Sequence, residues 1–339
     1  MKQTRITSKD NLLDDHGRVK QPGYATSLVL DYDRSQVKAK KSRIKEWDYY
    51  FFGNDRYGVA LTIADNSYMG LIGATFFDFA HKNKYDFKSI IPFTNGKLKM
   101  PNDSMKGDIV YQSKKITFKT ILKENSREIY VKIPKFKGGK SFEFSANVDY
   151  LNKDSMVIIT PYLDDEHAFY YNQKINNLAA TGTLKFGKEI YQFDRAQGVL
   201  DWGRGVWTRD NTWYWSSMST ILDNGEVFGF NLGYGFGDTS AASENMAFYK
   251  GKAYKLNDVD FGLPQNNFTD DWHFKSEDGA IDMIFTPLYD NRTLINLLLI
   301  KQDAHQVFGY FTGAIRIGKD EVVTVKKAFG FAEKVRNVW

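Results

Sequence analysis

The segment Gly198–Ser219 places one carboxylate, Asp201, and one guanidinium, Arg204, among four of the chain's seven tryptophans: Trp202, Trp207, Trp213 and Trp215. Indoles bury a large area at small conformational cost, so four together mark a core or the wall of a ligand pocket. Core packing alone does not require Asp201 and Arg204 beside them. A charge kept among aromatics needs a partner or shifts its pKa. The segment therefore reads two ways: as a binding or catalytic site, or as a buried ion pair fixing a tight turn between two strands. A second acidic pair, Glu46 and Asp48, flanks Trp47 in a stretch of period two. The two carboxylates should share one face, as a pair flanking a scissile bond would. Their position after the basic run Lys38, Lys40, Lys41, Arg43 and Lys45 favours salt bridges instead.

Other chemistries find less support. The chain has no Cys, which excludes disulfides, thiolate metal sites and a Cys nucleophile. His16, His81, His167, His273 and His305 lack chelating spacing, so no metal is assigned. The cluster Asp164-Asp165-Glu166-His167 reads as a hairpin loop. Ser216, Ser217 and Ser219 lack a GxSxG elbow. Gly229, Gly233, Gly235 and Gly237 form no GxGxxG before a helix, so no cofactor is expected; glycines spaced through a strand permit bending or close approach. Residues 1–140 carry 27 Lys plus Arg against 15 Asp plus Glu, and residues 141–339 carry 19 against 26. The basic half has no zinc-finger, RRM or P-loop spacing, so nucleic acid is not an expected partner.

These residues must be positioned by β-strands. Aromatics make up 16% of 339 residues, with 27 Gly and 7 Pro, a composition suited to sheets and tight turns. Alternation of apolar and polar residues predicts antiparallel strands at Tyr57–Ala64, Tyr68–Phe79, Ile116–Leu122, Glu128–Ile133, Ser141–Tyr150 and Met156–Tyr162. It continues at His167–Asn172, Ala179–Phe186 and Glu189–Arg195. A second series follows at Thr212–Leu222, Glu226–Leu232, Glu244–Tyr249, Ala253–Leu256, Ala280–Phe285, Thr293–Lys301, Val307–Ile317 and Glu321–Ala328. Asp223-Asn224-Gly225 is a hairpin turn. The spacing leaves no room for crossover helices. An all-β chain of two barrel-like domains results: 1–195, with an irregular N-terminal arm, and 196–339. The N-terminus shows no apolar signal region, and the longest apolar run, Leu294–Ile300, is far below the ~20 residues of a membrane helix. A cytoplasmic protein with no transmembrane segment is expected.

Several landmarks together resemble a known group: Lys45-Glu46-Trp47-Asp48-Tyr49-Tyr50, Ala64-Asp65 with Tyr68, and Gly198-Val199-Leu200-Asp201-Trp202-Gly203-Arg204-Gly205. Glu244-Asn245, Phe285-Thr286-Pro287 with Arg292, and Phe308-Gly309-Tyr310-Phe311-Thr312-Gly313 complete the set. They resemble a mostly bacterial family of unknown function that spans the whole chain. That family is similar, more distantly, to two-domain lipocalin-like proteins: the hydroxyneurosporene synthase and AttH-like group, plant tocopherol cyclase and fungal lipocalin-type Diels–Alderases. The resemblance implies two tandem calycin-type β-barrels or strongly bent sheets, with an apolar pocket in or between them. It transfers no activity.

Asp201, Arg204, Glu244 and Asn245 are the polar groups expected around such a pocket, with Trp47, Trp202, Trp207 and Trp215 as ligand-binding walls. In an enzyme of the hydratase, cyclase or isomerase type, Glu244 would be the acid, raised by desolvation. Arg204 would hold Asp201 ionised, and the indoles would face a developing carbocation. Alternatively Asp201 and Arg204 pair with each other and Glu244 caps a turn. The expected partner is a lipid- or isoprenoid-like small molecule, bound or converted without a cofactor. A non-catalytic carrier would lack a perturbed carboxylate, and a glycan-binding protein would expose coplanar tryptophans. Oligomeric state does not follow from the sequence.

Overall fold

The computed structural model describes residues 3–265, 267–296, 301–319 and 321–338. Two large antiparallel sheets carry the chain. In the first, the strands run in the order Asn83–Pro92, Met69–Asp78, Tyr57–Asp65, Lys45–Gly53, Glu189–Val206, Asp165–Phe186, Phe142–Tyr150, Ser126–Ile133, Thr117–Leu122 and Ile109–Gln112. Met156–Tyr162 pairs with Asp165–Phe186 off this path. The second sheet repeats the plan: Lys252–Lys255, Met246–Tyr249, Val227–Tyr234, Asp210–Ile221, Glu321–Val338, Lys301–Ile317, Ile281–Asn296, Trp272–Ser276 and Val259–Asp260. In each sheet a late strand returns to pair with an early one, Glu189–Val206 with Lys45–Gly53 and Glu321–Val338 with Asp210–Ile221. Among the described residues the helices are two 3-10 turns, and none is long and apolar enough to cross a membrane.

Alternation builds the cores. In Phe142–Tyr150, Phe142, Phe144, Ala146 and Val148 enter the first core while Glu143, Ser145 and Asn147 face out. Lys45–Gly53 is buried on both faces, which explains its near-continuous aromatic run. Tyr50 and Phe52 join the first core, whereas Phe51 packs on Trp215, Phe308 and Phe331 of the second half. The halves are also clamped by hydrogen bonds. A bulge between Ile175 and Leu178 exposes Asn176 and Asn177 to the opposite sheet. Asn176 Nδ2 donates to Ser217 Oγ and to the Phe230 carbonyl, each at 2.8 Å, and the Asn177 N–H donates to Ser219 Oγ at 3.0 Å.

Three expectations change. The Asp201–Arg204 stretch is no turn: it lies in the straight run of Glu189–Val206, paired on both sides. The expected division at 195/196 falls inside that strand, and the chain passes to the second sheet only between Val206 and Asp210. Thr293–Lys301 is not one strand, because Ile281–Asn296 ends and Lys301–Ile317 begins there, with Asn296 opposite Lys301. Residues 297–300 of the Leu294–Ile300 run lie outside the described residues.

Candidate functional site

Between the two sheets lies a chamber of about 310 Å³. Trp47, Tyr49, Tyr170, Lys174 and Asp201 reach it from the first sheet; Trp213, Trp215, Gln302, Gln306 and Glu333 reach it from the second. Trp207, Phe236 and Glu244 close it from connecting segments. The aromatic walls interlock: Trp47 meets Trp207 edge-on at 4.8 Å, and Tyr170 stacks on Phe236 at 4.3 Å. The volume and the mix of aromatic walls with few polar groups are those of a small-molecule pocket.

The polar groups form two connected units. Asp201 is ion-paired to Lys174 at 2.8 Å and accepts from Asn172 Nδ2 at 2.6 Å and Trp47 Nε1 at 3.1 Å. Lys174 also lies over the Trp215 ring, 4.0 Å from its centroid. Glu333 accepts from Trp213 Nε1 at 3.0 Å and Gln306 Nε2 at 3.3 Å, and the same amide nitrogen donates to Tyr49 Oη at 3.1 Å. Glu244 stands against Gly233, where a side chain's Cβ would lie 3.1 Å from Glu244 Oε2. The glycine leaves space for the carboxyl. Burial pushes the Glu244 carboxyl up to about 7, countered by Lys174 and reinforced by the charge of Asp201. Burial likewise pushes Glu333 up to about 7, against the hydrogen bond from Trp213 and the charge of Lys174. Behind Glu244, Lys255 donates to Ser243 Oγ, the Asn245 carbonyl and the Leu256 carbonyl at 3.0, 2.6 and 3.1 Å, and burial pushes its amine down to about 7.

Of the residues expected at the site, Asp201, Glu244, Trp47, Trp207 and Trp215 line the chamber. Arg204 and Trp202 do not. Residues three apart on a strand point to opposite faces, so Asp201 faces the chamber and Arg204 the first core. Arg204 pairs with Asp48 at 3.2 Å and donates to the carbonyls of Trp47 and Pro101 at 2.9 and 2.8 Å. Its guanidinium sits over Trp202, 4.3 Å from the ring centroid. It therefore does not pair with Asp201; Lys174 is the partner. Asn245 is structural, accepting from the Gly233 N–H at 2.9 Å and donating to the Asn257 carbonyl at 3.0 Å. Glu46 shares the inner face with Asp48 and is held by Arg34 at 2.7 Å and Tyr32 at 2.9 Å, so this acidic pair serves salt bridges. Lys45 and Glu46 lie opposite Gly205 and Arg204 within the first sheet, so they do not bridge the two halves there. Lys174, Glu333 and Gln306 were not foreseen, and Trp213, named only as part of the tryptophan-rich segment, also lines the chamber. The tryptophans turn inward, Trp207 and Trp215 being buried, which departs from the exposed face a glycan-binding surface needs.

The fold has solved counterparts. A structure described as AttH from Nitrosomonas europaea superposes with a TM-score of 0.51 at 12% identity, covering 90% of this chain and 96% of that one. Kievitone hydratase from Nectria haematococca aligns at 13% identity over 98% of each chain, with a TM-score of 0.45. The likeness to AttH shows a shared architecture of two tandem bent sheets of lipocalin-like type. No curated protein matches the chain by sequence. The signature segments Lys45–Tyr50 and Gly198–Gly205 are neighbouring strands of one sheet, and the chain that carries them belongs, over residues 3–339, to the family described as Domain of unknown function (DUF2804).

Proposed function

We propose that the chain binds an apolar or amphipathic small molecule, lipid- or isoprenoid-like, in the chamber between its sheets and protonates it there, with Glu244 as the acid. The observation that carries this reading is a buried carboxyl facing an aromatic cavity and raised to about 7, so that it keeps a transferable proton near neutral pH. A plain carrier has no use for such a group. In the step proposed, the Glu244 O–H bond breaks as a C–H bond forms on an alkene carbon. The adjacent carbon becomes a carbocation faced by the indoles of Trp207 and Trp215. Addition of water, ring closure or loss of a neighbouring proton then completes a hydration, cyclisation or isomerisation, and the released proton returns to the Glu244 carboxylate. Asp201, held by Lys174 at 2.8 Å, faces the same chamber. Glu333 is a second acid on the opposite wall.

The test begins with organic extraction of protein purified from its own host and mass spectrometry of what is released. The recovered compound is then incubated with protein in D2O. Deuterium on carbon, lost in Glu244→Gln, is the expected result; a ligand that never exchanges a carbon-bound proton would leave the chain a carrier.

A further inference from the structure

The charges on the chamber wall are unequal. Lys174 is the cation among the described lining residues, against the carboxylates of Asp201, Glu244 and Glu333. That cation is already engaged, 2.8 Å from Asp201 and over the face of Trp215. The hydrogen-bond donors to Glu333, Trp213 Nε1 and Gln306 Nε2, are neutral. Two further lysines stand behind the wall. Lys255 approaches Glu244 from outside and donates to Ser243 and two carbonyls. Lys45 lies against the rings of Tyr68 and Trp207, at 4.7 and 5.5 Å. Burial pushes both amines down to about 7, so neither is a fixed positive charge at neutral pH. Tyr162 and Tyr170, the other titratable groups facing Glu244, are pushed up and stay neutral. Tyr49, next to Glu333 through Gln306, is also pushed up.

An aromatic enclosure whose buried carboxylates outnumber its cations is the arrangement that recognises ammonium groups. We infer that the chamber selects ligands bearing positive charge: a protonated amine or quaternary ammonium on an apolar body of a size to fill about 310 Å³. This ligand class rests on the chamber being the ligand site, and it follows the same electrostatics that would favour a carbocation. Ammonium amphiphiles should therefore act as mimics of the charged intermediate. Binding such a cation draws protons from Glu244 and Glu333, so affinity and proton release are linked.

The experiment compares decyltrimethylammonium, 1-decanol and decanoate below their aggregation limits, by quenching of tryptophan fluorescence and by titration calorimetry in buffers of different ionisation heat. The quaternary nitrogen cannot titrate, so any pH dependence belongs to the protein. Decyltrimethylammonium is expected to bind more tightly than both others at pH 8, to release protons at pH 6, and to lose up to about tenfold in affinity per pH unit below 7 for each proton released. The E244Q/E333Q variant, checked for native near-ultraviolet dichroism, should release fewer protons than the wild-type protein on binding decyltrimethylammonium and bind it less tightly at pH 8. Binding of 1-decanol or decanoate at least as tight as the ammonium, or an ammonium affinity independent of pH in the wild-type protein, would overturn the cation preference alone. Absence of binding by all three would overturn the chamber as a ligand site as well.

Discussion

Replacing Glu333 by Gln should invert the order of stability between the two proteins as pH rises. The carboxyl is raised from 4.5 to about 7 by burial. The folded carboxyl thus holds its proton to higher pH than the unfolded one, so its contribution is complete below about 4.5 and is lost as pH rises through 7. At about 1.4 kcal/mol per pH unit, the wild-type protein loses about 2.5 kcal/mol between pH 5 and pH 8 on account of this one group. A Gln side chain keeps the shape and the acceptor for Trp213 Nε1 but does not ionise. It also sets an amide nitrogen against Gln306 Nε2, a lost acceptor costing about 1–2 kcal/mol at every pH. At pH 5 the variant is therefore expected to be the less stable, and at pH 8 the more stable by about 1 kcal/mol. Glu244 titrates in both proteins and largely cancels in the difference. Urea unfolding followed by far-ultraviolet dichroism at pH 5, 6, 7 and 8 measures it. A difference between the two proteins that stays constant across that range would refute the assignment of Glu333 as a neutral acid near pH 7.

Lys174→Met leaves Asp201 buried without its cation and should cost about 3–5 kcal/mol at pH 8, most of it recovered in Lys174→Met/Asp201→Asn; urea unfolding of the single and double variants decides, and no recovery would deny the pairing. Asn176→Ala removes the two donated bonds that tie the bulge to the second sheet and should cost about 2 kcal/mol in guanidinium unfolding, with faster proteolysis between the halves; a loss under about 0.5 kcal/mol would show the clamp idle. Gly203→Ala pushes a methyl into the Trp47 ring and should lower stability by about 1–3 kcal/mol while changing the near-ultraviolet dichroism of the chamber indoles; an unchanged spectrum would mean that Trp47 does not rest on this glycine.

Much of the fold is legible because its strands alternate. Phe142–Tyr150 reads correctly from period two alone, and Asp223-Asn224-Gly225 forms the hairpin turn its residues favour. Where alternation fails, the reading fails. Asp165–Phe186 is one strand, yet it reads as two, His167–Asn172 and Ala179–Phe186, because Gln173-Lys174-Ile175-Asn176-Asn177 looks like a polar loop. All five are buried. Lys174 and Asn176 turn to the chamber and the second sheet while Gln173 and Ile175 turn to the first core, and the bulge that carries Asn176 and Asn177 shifts the register within the run. Asn83–Pro92 was missed for the opposite reason: it is the edge strand, with much of its surface half-buried or exposed, so no strong pattern marks it.

The site was legible only by halves, and the dividing line is strand geometry. Asp201 and Arg204 are close in sequence and opposite in charge, which invites pairing if the segment turns. In an extended strand an odd spacing sends them to opposite faces, and each then needs a partner from elsewhere. Asp201 finds Lys174 on the neighbouring strand, where the two are register partners, and Arg204 finds Asp48 on the strand at the other side. The same rule divides the glycines and the indoles: Trp202 joins Arg204 inside the first core, while Gly203, on the chamber face, leaves room for the Trp47 ring. One four-residue stretch, Asp201–Arg204, thus closes a core with one face and builds a chamber wall with the other. That double use explains why a charged pair persists among tryptophans, where a hydrophobic strand would suffice for packing alone. It also explains why Glu333 escaped notice: it belongs to the last long strand, Glu321–Val338, and meets Asp201's chamber only because the two sheets pack face to face.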